Sequence, residues 1–171
     1  MPPGDHVLDT NVLLVASASD PSSPFKDSEH VPLAEQRAVL KWLSEFRRDR
    51  SRHLVLDEQR EVMREYKRQL GKNDYGYQVV IEKLQTARFH RIELDEGGAA
   101  RLPEPLQTEV KDRSDRKFVA VALADAGESS LVNACDTDWY DCQDALMQAG
   151  INVEQIIDDW CREKHREKQG K

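Results

Sequence analysis

Apolar residues along this chain alternate between two patterns: short continuous runs, and longer stretches where they recur every three or four positions. Val7-Leu8-Asp9 begins a short apolar strand that leads into Asn11-Val12-Leu13-Leu14-Val15-Ala16. Residues 17–29 are rich in Ser, Pro and Asp and read as a loop. From Leu33 to about residue 48, the spacing of Leu33, Ala34, Ala38, Leu40, Trp42, Leu43 and Phe46 is helical. A second strand, His53-Leu54-Val55-Leu56, ends at Asp57, a natural N-cap for a helix reaching about Leu70. Gly71-Lys72-Asn73-Asp74 breaks it. Residues 78–87 make a further helix, and residues 89–94 a third strand with period-two alternation.

Gly97-Gly98 and Pro103 to Pro105 then punctuate a segment with room for one short helix. A helix is expected from near Ser114 to Ala126, a fourth strand over residues 131–135, and a helix over about 141–148. Residues 151–153 form a fifth strand, and Glu154 opens a last helix to about Lys164. Strands spaced by helices imply a mostly parallel sheet covered on both faces, a three-layer α/β/α arrangement. The 171 residues suffice for one well-buried core and fall short of two ordinary domains. The expected organisation is a single domain over residues 1–160 and a charged tail over 161–171 that frays.

Open sheets of this kind bind ligands outside the carboxyl ends of their strands. Asp9 follows Val7-Leu8 and Asp136 follows the fourth strand, so both lie at that end; Asp138 is two residues further on. Two more acids are placed by helical geometry. Asp115, Phe118, Ala122 and Ala126 share one face, so Asp115 sits in a first turn on the inward side. The helix after Asp57 has an apolar stripe of Val62, Met63, Tyr66 and Leu70, with Glu65 at its edge and Glu61 further round; Glu65 is preferred and Glu61 is its substitute. Converging carboxylates repel by roughly 4 kcal/mol at 4 Å for an effective dielectric near 20. A hard divalent cation removes that penalty, and Mg²⁺ or Mn²⁺ suits an all-oxygen site. Such ions activate water and stabilise the charge that develops on a phosphodiester, with no Ser, Cys or His nucleophile.

Charge narrows the reading. The formal net charge is -7, which argues against a plain nucleic-acid-binding module but not against a nuclease that commits carboxylates to cations. No apolar stretch is long enough for a membrane span, and Met1-Pro2-Pro3-Gly4-Asp5-His6 lacks the basic and apolar regions of a signal peptide, so a cytoplasmic location is expected. Cys135, Cys142 and Cys161 form no CxxC pair and are expected to be free, buried thiols. The five histidines show no ligand spacing such as HxxxH. The tryptophans Trp42, Trp139 and Trp160 read as core or partner contacts. The basic run Arg47, Arg48, Arg50 and Arg52 and the helix-borne Arg60, Arg64, Lys67 and Arg68 read as solvated faces, with RNA contact as the alternative.

Four motifs together resemble the PIN domain family. Val7-Leu8-Asp9-Thr10-Asn11-Val12-Leu13-Leu14 is similar to its opening signature and Ser114-Asp115-Arg116-Lys117-Phe118-Val119-Ala120-Val121-Ala122 to its central acidic helix. Ala134-Cys135-Asp136-Thr137-Asp138-Trp139 resembles its last acidic motif, and Glu65-Tyr66 its glutamate-bearing helix. Order and spacing agree from about Val7 to Asp158. The resemblance implies a Mg²⁺- or Mn²⁺-dependent endoribonuclease in which Asp9, Glu65, Asp115 and Asp136 form an acidic quartet and Asp138 is an extra or alternative ligand. Thr10 and Asn11 would support Asp9. Apart from the resemblance, Arg113, Arg116 and Lys117 flank Asp115, which makes them candidates for RNA phosphate contact, against the alternative of a solvated face. The resemblance also implies, as further expectations, the toxin role of a toxin–antitoxin pair, an antitoxin protein as partner, and a homodimer. Ala134 stands where many members have Ser or Thr, and the segment from Ser17 to Arg50 is longer than in compact toxin members. The alternative is a PIN-like binding or assembly module with weak or no nuclease activity. A dehalogenase-like phosphotransfer domain fits less well, because Asp9-Thr10-Asn11 lacks a second aspartate two residues on.

Overall fold

A computed structural model of the chain describes residues 4–18, 31–94, 101–125 and 128–170. Most of the loop expected over 17–29, the Gly97-Gly98 pair and the expected helix end at Ala126 lie outside these residues. Five strands form one sheet: β1 (Asp5–Leu8), β2 (His53–Asp57), β3 (Phe89–Ile92), β4 (Ser129–Asn133) and β5 (Asn152–Gln155). The order is β3-β2-β1-β4-β5 and every pairing is parallel, so the sheet expected to be mostly parallel is wholly so. Helices pack on it to complete the α/β/α layers: α1 (Thr10–Ala16), α2 (Leu33–Arg48), α3 (Glu61–Gln69), α4 (Tyr75–Gln85), α5 (Leu106–Glu109), α6 (Arg116–Ala124), α7 (Asp138–Asp141), α8 (Gln143–Gln148) and α9 (Asp158–Gln169). No helix among the described residues is long and apolar enough to cross a membrane.

The strand burial follows from this order. Every residue of the inner strand β4 is buried, as are His6, Val7 and Leu8 of β1, because helices cover both faces of the inner strands. The edge strands β3 and β5 are only half-buried. The apolar run after Asp9 is a helix, α1, which packs against α2, α3 and α4 and buries all its residues but Asn11. Apolar residues all round are what a helix inside the protein requires.

Several boundaries shift from the expected ones. Asp57 does cap the next helix, but α3 starts only at Glu61: the chain first turns through Arg60 at φ 65°, and the Asp57 carboxylate then accepts the amides of Glu61 (2.8 Å) and Val62 (2.9 Å). The helix near Ser114 opens as a 3₁₀ turn, Arg113–Asp115, and continues as α6. The expected helix over 141–148 is two short ones, α7 and α8. The last helix begins at Asp158 rather than Glu154, because residues 152–155 extend β5. The charge-rich end expected to fray is helical to Gln169; Asp158–Arg162, Glu163–Arg166 and Lys164–Glu167 pairs line it, and Lys168 donates to the Thr137 hydroxyl at 2.7 Å.

Gly76 sits where α4 crosses α1. A Cβ there would lie 2.6 Å from the Leu13 carbonyl oxygen and 2.9 Å from its Cα. Its amide donates to the Ser17 hydroxyl at 2.8 Å, and that hydroxyl donates to the same Leu13 carbonyl at 2.7 Å. The backbone cannot yield cheaply, so Gly76→Ala should destabilise the fold by about 2 kcal/mol. For a chain of this size that is a fall in Tm of about 4–8 °C, read by calorimetry; an unchanged Tm would show that the two helices slide apart freely.

Candidate metal centre

The chain runs outward from β1 to β2 and β3, then returns to the other side of β1 to form β4. The crevice beyond the carboxyl ends of β1 and β4 is therefore the topological switch point of the sheet, where such folds bind ligands. Asp9 lies one residue past β1 and Asp136 three past β4. The start of α6 brings Asp115 to the same place. Asp9, Asp115 and Asp136 can each offer an oxygen within 4.8 Å of the others. A second trio, Asp112, Asp115 and Asp138, meets the same limit, so Asp115 is common to both.

Burial makes this cluster costly without a cation. Asp9 and Asp115 are only 5% and 8% exposed. Desolvation, reinforced by the charges of Asp136 and Glu65, pushes the Asp9 carboxyl up to about 7, against the opposing hydrogen bonds from Trp139 and the Asn11 amide. Asp115 is pushed up to about 9 by burial and then by Asp9, Asp136, Asp112 and Asp138, all acting in one direction. Asp136 is also raised, chiefly by burial, while the Asp138 amide that donates to it opposes the shift. Asp57 shows the contrast: it too ends a strand and is buried, but both its oxygens are taken by α3 amides.

Glu65 lies on the site side of α3. Its side chain is 11% exposed, ion-pairs with Arg68, and stands 3.6 Å from the Lys117 ammonium. Glu61 is 44% exposed and pairs with Arg64, away from the cluster. Asp138 is exposed, with Lys168 at 3.5 Å. Asn11 does not reach the cluster with its side chain. Its Oδ1 accepts the amides of Ala134 (2.8 Å) and Cys135 (3.0 Å), and its Nδ2 donates to Asn133 Oδ1 (3.0 Å), which clamps the β1–α1 turn to the loop after β4. The Thr10 hydroxyl is buried and has no hydrogen-bond partner among the described residues.

Of the basic residues, Arg116 donates to the carbonyls of Val110 and Gln107, both at 3.1 Å, and Lys117 to that of Ser114 at 2.6 Å. These bonds hold the loop before α6 in place. Arg113 is exposed. Within the run at 47–52, Arg47 ion-pairs with Glu82, and the Arg52 guanidinium stacks 4.8 Å over Trp42.

Three contributors lie outside the residues expected from sequence. Trp139, read as core, is 1% exposed and also donates its indole N–H to Asp9 Oδ2 at 2.6 Å. Asn133 bonds Asn11, Gln155 and both backbone groups of Asp136. Asp112 joins the second acidic trio while its Oδ1 accepts from Ser114; its place two residues before Ser114 is the signal that an Asx turn leaves in a sequence.

The donor set is all carboxylate, which fits Mg²⁺ or Mn²⁺ and suits neither a thiolate nor an imidazole metal. Burial pushes the Cys135 and Cys142 thiols up to about 12, so neither is a nucleophile at neutral pH. Compared with known proteins, the chain matches no family model, no curated protein and no solved structure.

Proposed function

We propose that this protein is a Mg²⁺- or Mn²⁺-dependent endoribonuclease of the PIN type. The observation that carries the reading is the convergence of Asp9, Asp115 and Asp136 at the switch point, with two of the three buried. Asp9, Asp115 and Asp136 would hold the ion, and Asp138 with Asp112 would extend the site outward. When bound, the ion supplies an activated water and neutralises charge developing on the scissile phosphate. The chain's own residues orient that chemistry. Trp139 and the Asn11 amide fix the Asp9 carboxylate, and Asn133 fixes the Asp136 backbone. Lys117, next to Glu65, and the exposed Arg113 flank the acids where RNA phosphates would approach.

The test is cleavage of labelled RNAs and single-stranded DNAs with Mn²⁺, with Mg²⁺ and with EDTA, using Asp9→Asn as control. Metal-dependent RNA cleavage that the variant loses is the expected result. No cleavage of any substrate, together with no Mn²⁺ binding by calorimetry, would favour a binding or assembly module on the same fold.

A further inference from the structure

The opposite end of the sheet carries a second cluster with different chemistry. Asp5 opens β1, His53 opens β2, and His90 is the second residue of β3. Asp5 pairs in register with His53, and His90 with Val55, two residues further along β2. Side chains two apart on a strand share a face, and so do register partners. Asp5, His53 and His90 therefore project from one face of three adjacent strands.

Their donor atoms meet. His53 Nδ1 is 3.1 Å from Asp5 Oδ1, and His90 Nε2 is 3.5 Å from Asp5 Oδ2. All three residues can present a ligand atom within 4.8 Å of the others, and the imidazole rings are 4.7 Å apart at their centroids. Zinc–nitrogen and zinc–oxygen bonds of about 2.0–2.2 Å place neighbouring tetrahedral ligands roughly 3.3–3.5 Å apart. The His90 spacing lies at that value, and the His53 spacing, to the other carboxylate oxygen, is slightly shorter. The side chains are 23% (Asp5), 30% (His53) and 49% (His90) exposed, which leaves an approach for an ion and a position for water. Asp125, just past α6, is raised by burial, with the Ser129 hydroxyl opposing, Asp5 adding and His90 opposing.

We propose that Asp5, His53 and His90 form a second metal site, for a borderline transition ion such as Zn²⁺ rather than Mg²⁺, that clips the amino ends of β1, β2 and β3 together. Two imidazoles and one carboxylate are a set that Zn²⁺ accepts with three protein ligands and a water. Mg²⁺ prefers oxygen alone. The two ends of one sheet thus select different metals. The clip would matter most to β3, an edge strand whose partner in the sheet is β2. The site is independent of the nuclease reading.

The test is calorimetric titration of the metal-stripped full chain with Zn²⁺ in excess Mg²⁺, on wild type, His90→Ala, His53→Gln and Asp115→Asn. One equivalent should bind wild type and Asp115→Asn alike and raise Tm. Either histidine change should weaken binding by at least about 100-fold. A measurement on unaltered protein guards against misfolded variants: Zn²⁺ should move the imidazole NMR signals of two of the five histidines. No Zn²⁺ binding, binding that survives both histidine changes, or binding lost in Asp115→Asn would overturn the proposal. In these cases Asp5 serves only as an acceptor for two imidazoles.

Discussion

Asp115→Asn is expected to cut metal-dependent RNA cleavage by at least about 10³-fold and, in the absence of metal, to make the protein more stable than wild type. Both effects have one cause. Asp115 is common to the two acidic trios and is the site carboxylate whose titration is pushed furthest up, to about 9. With a cation present, its negative charge is the ligand. Without one, burial and repulsion from Asp9, Asp136, Asp112 and Asp138 keep the folded protein's carboxyl largely protonated at pH 8, while the unfolded chain ionises it freely. Asparagine keeps the shape and removes the charge, so denaturation in EDTA at pH 8 should show a gain of about 2 kcal/mol. Cleavage and urea denaturation on the same preparation separate this from simple misfolding. A variant that cleaves normally would remove Asp115 from the chemistry. One that is both dead and less stable would mark it as a structural residue.

In EDTA, wild-type stability is expected to fall by about 3 kcal/mol between pH 5 and pH 9, and Mn²⁺ should abolish most of that fall. A carboxyl raised in the folded state binds its proton more tightly there than in the unfolded chain. Its contribution is complete below the ordinary value of 3.8 and is lost as pH rises, through about 7 for Asp9 and about 9 for Asp115. Each group can cost up to about 1.4 kcal/mol per pH unit inside its window; water entering the cleft relieves part of this. Asp49 and Asp112, held low by bonds from Ser51 and Ser114, titrate below this range. His6, pushed down to about 3 by burial, adds stability as pH rises to its ordinary value of 6.5, and Lys83, pushed down to about 8 by burial, does so above about pH 8, so the fall is clearest between those limits. Urea denaturation at pH 5, 7 and 9, with and without Mn²⁺, provides the measurement. A stability gap between Mn²⁺ and EDTA that does not widen from pH 5 to pH 9 would mean that the three carboxylates do not meet in solution.

The architecture was legible because inner strands and helix faces leave different periodicities. The site acids were legible because two of them follow apolar runs and Asp115 falls on an apolar helix face. Other features left no local trace. The run Val12 to Ala16 is apolar at every position, so it has no period to tell a buried helix from a strand. The delayed start of α3 depends on Arg60 adopting a left-handed conformation that its residue type does not announce. Trp139 and Asp9 are 130 residues apart, and no spacing rule links them. The pairing of His53 and His90 escaped for a similar reason. Motifs such as HxxxH describe ligands on one helix, whereas these two are brought together by the register of neighbouring strands.

The sheet order also sets when the acidic cleft can exist during synthesis. β1 is the middle strand, flanked by β2 and by β4, which is made last but one. The Asn11–Asn133 bond that clamps the cleft spans 122 residues. Until β4 emerges, one edge of β1 is an open row of unpaired amides and carbonyls, and Asp9 has no Asp136 beside it. An early fragment of this chain is thus a sticky half-sheet with no cleft. The closing of that half-sheet by β4 is a non-local pairing of the kind that folds slowly, so the step that removes the aggregation hazard is also the one that arms the site.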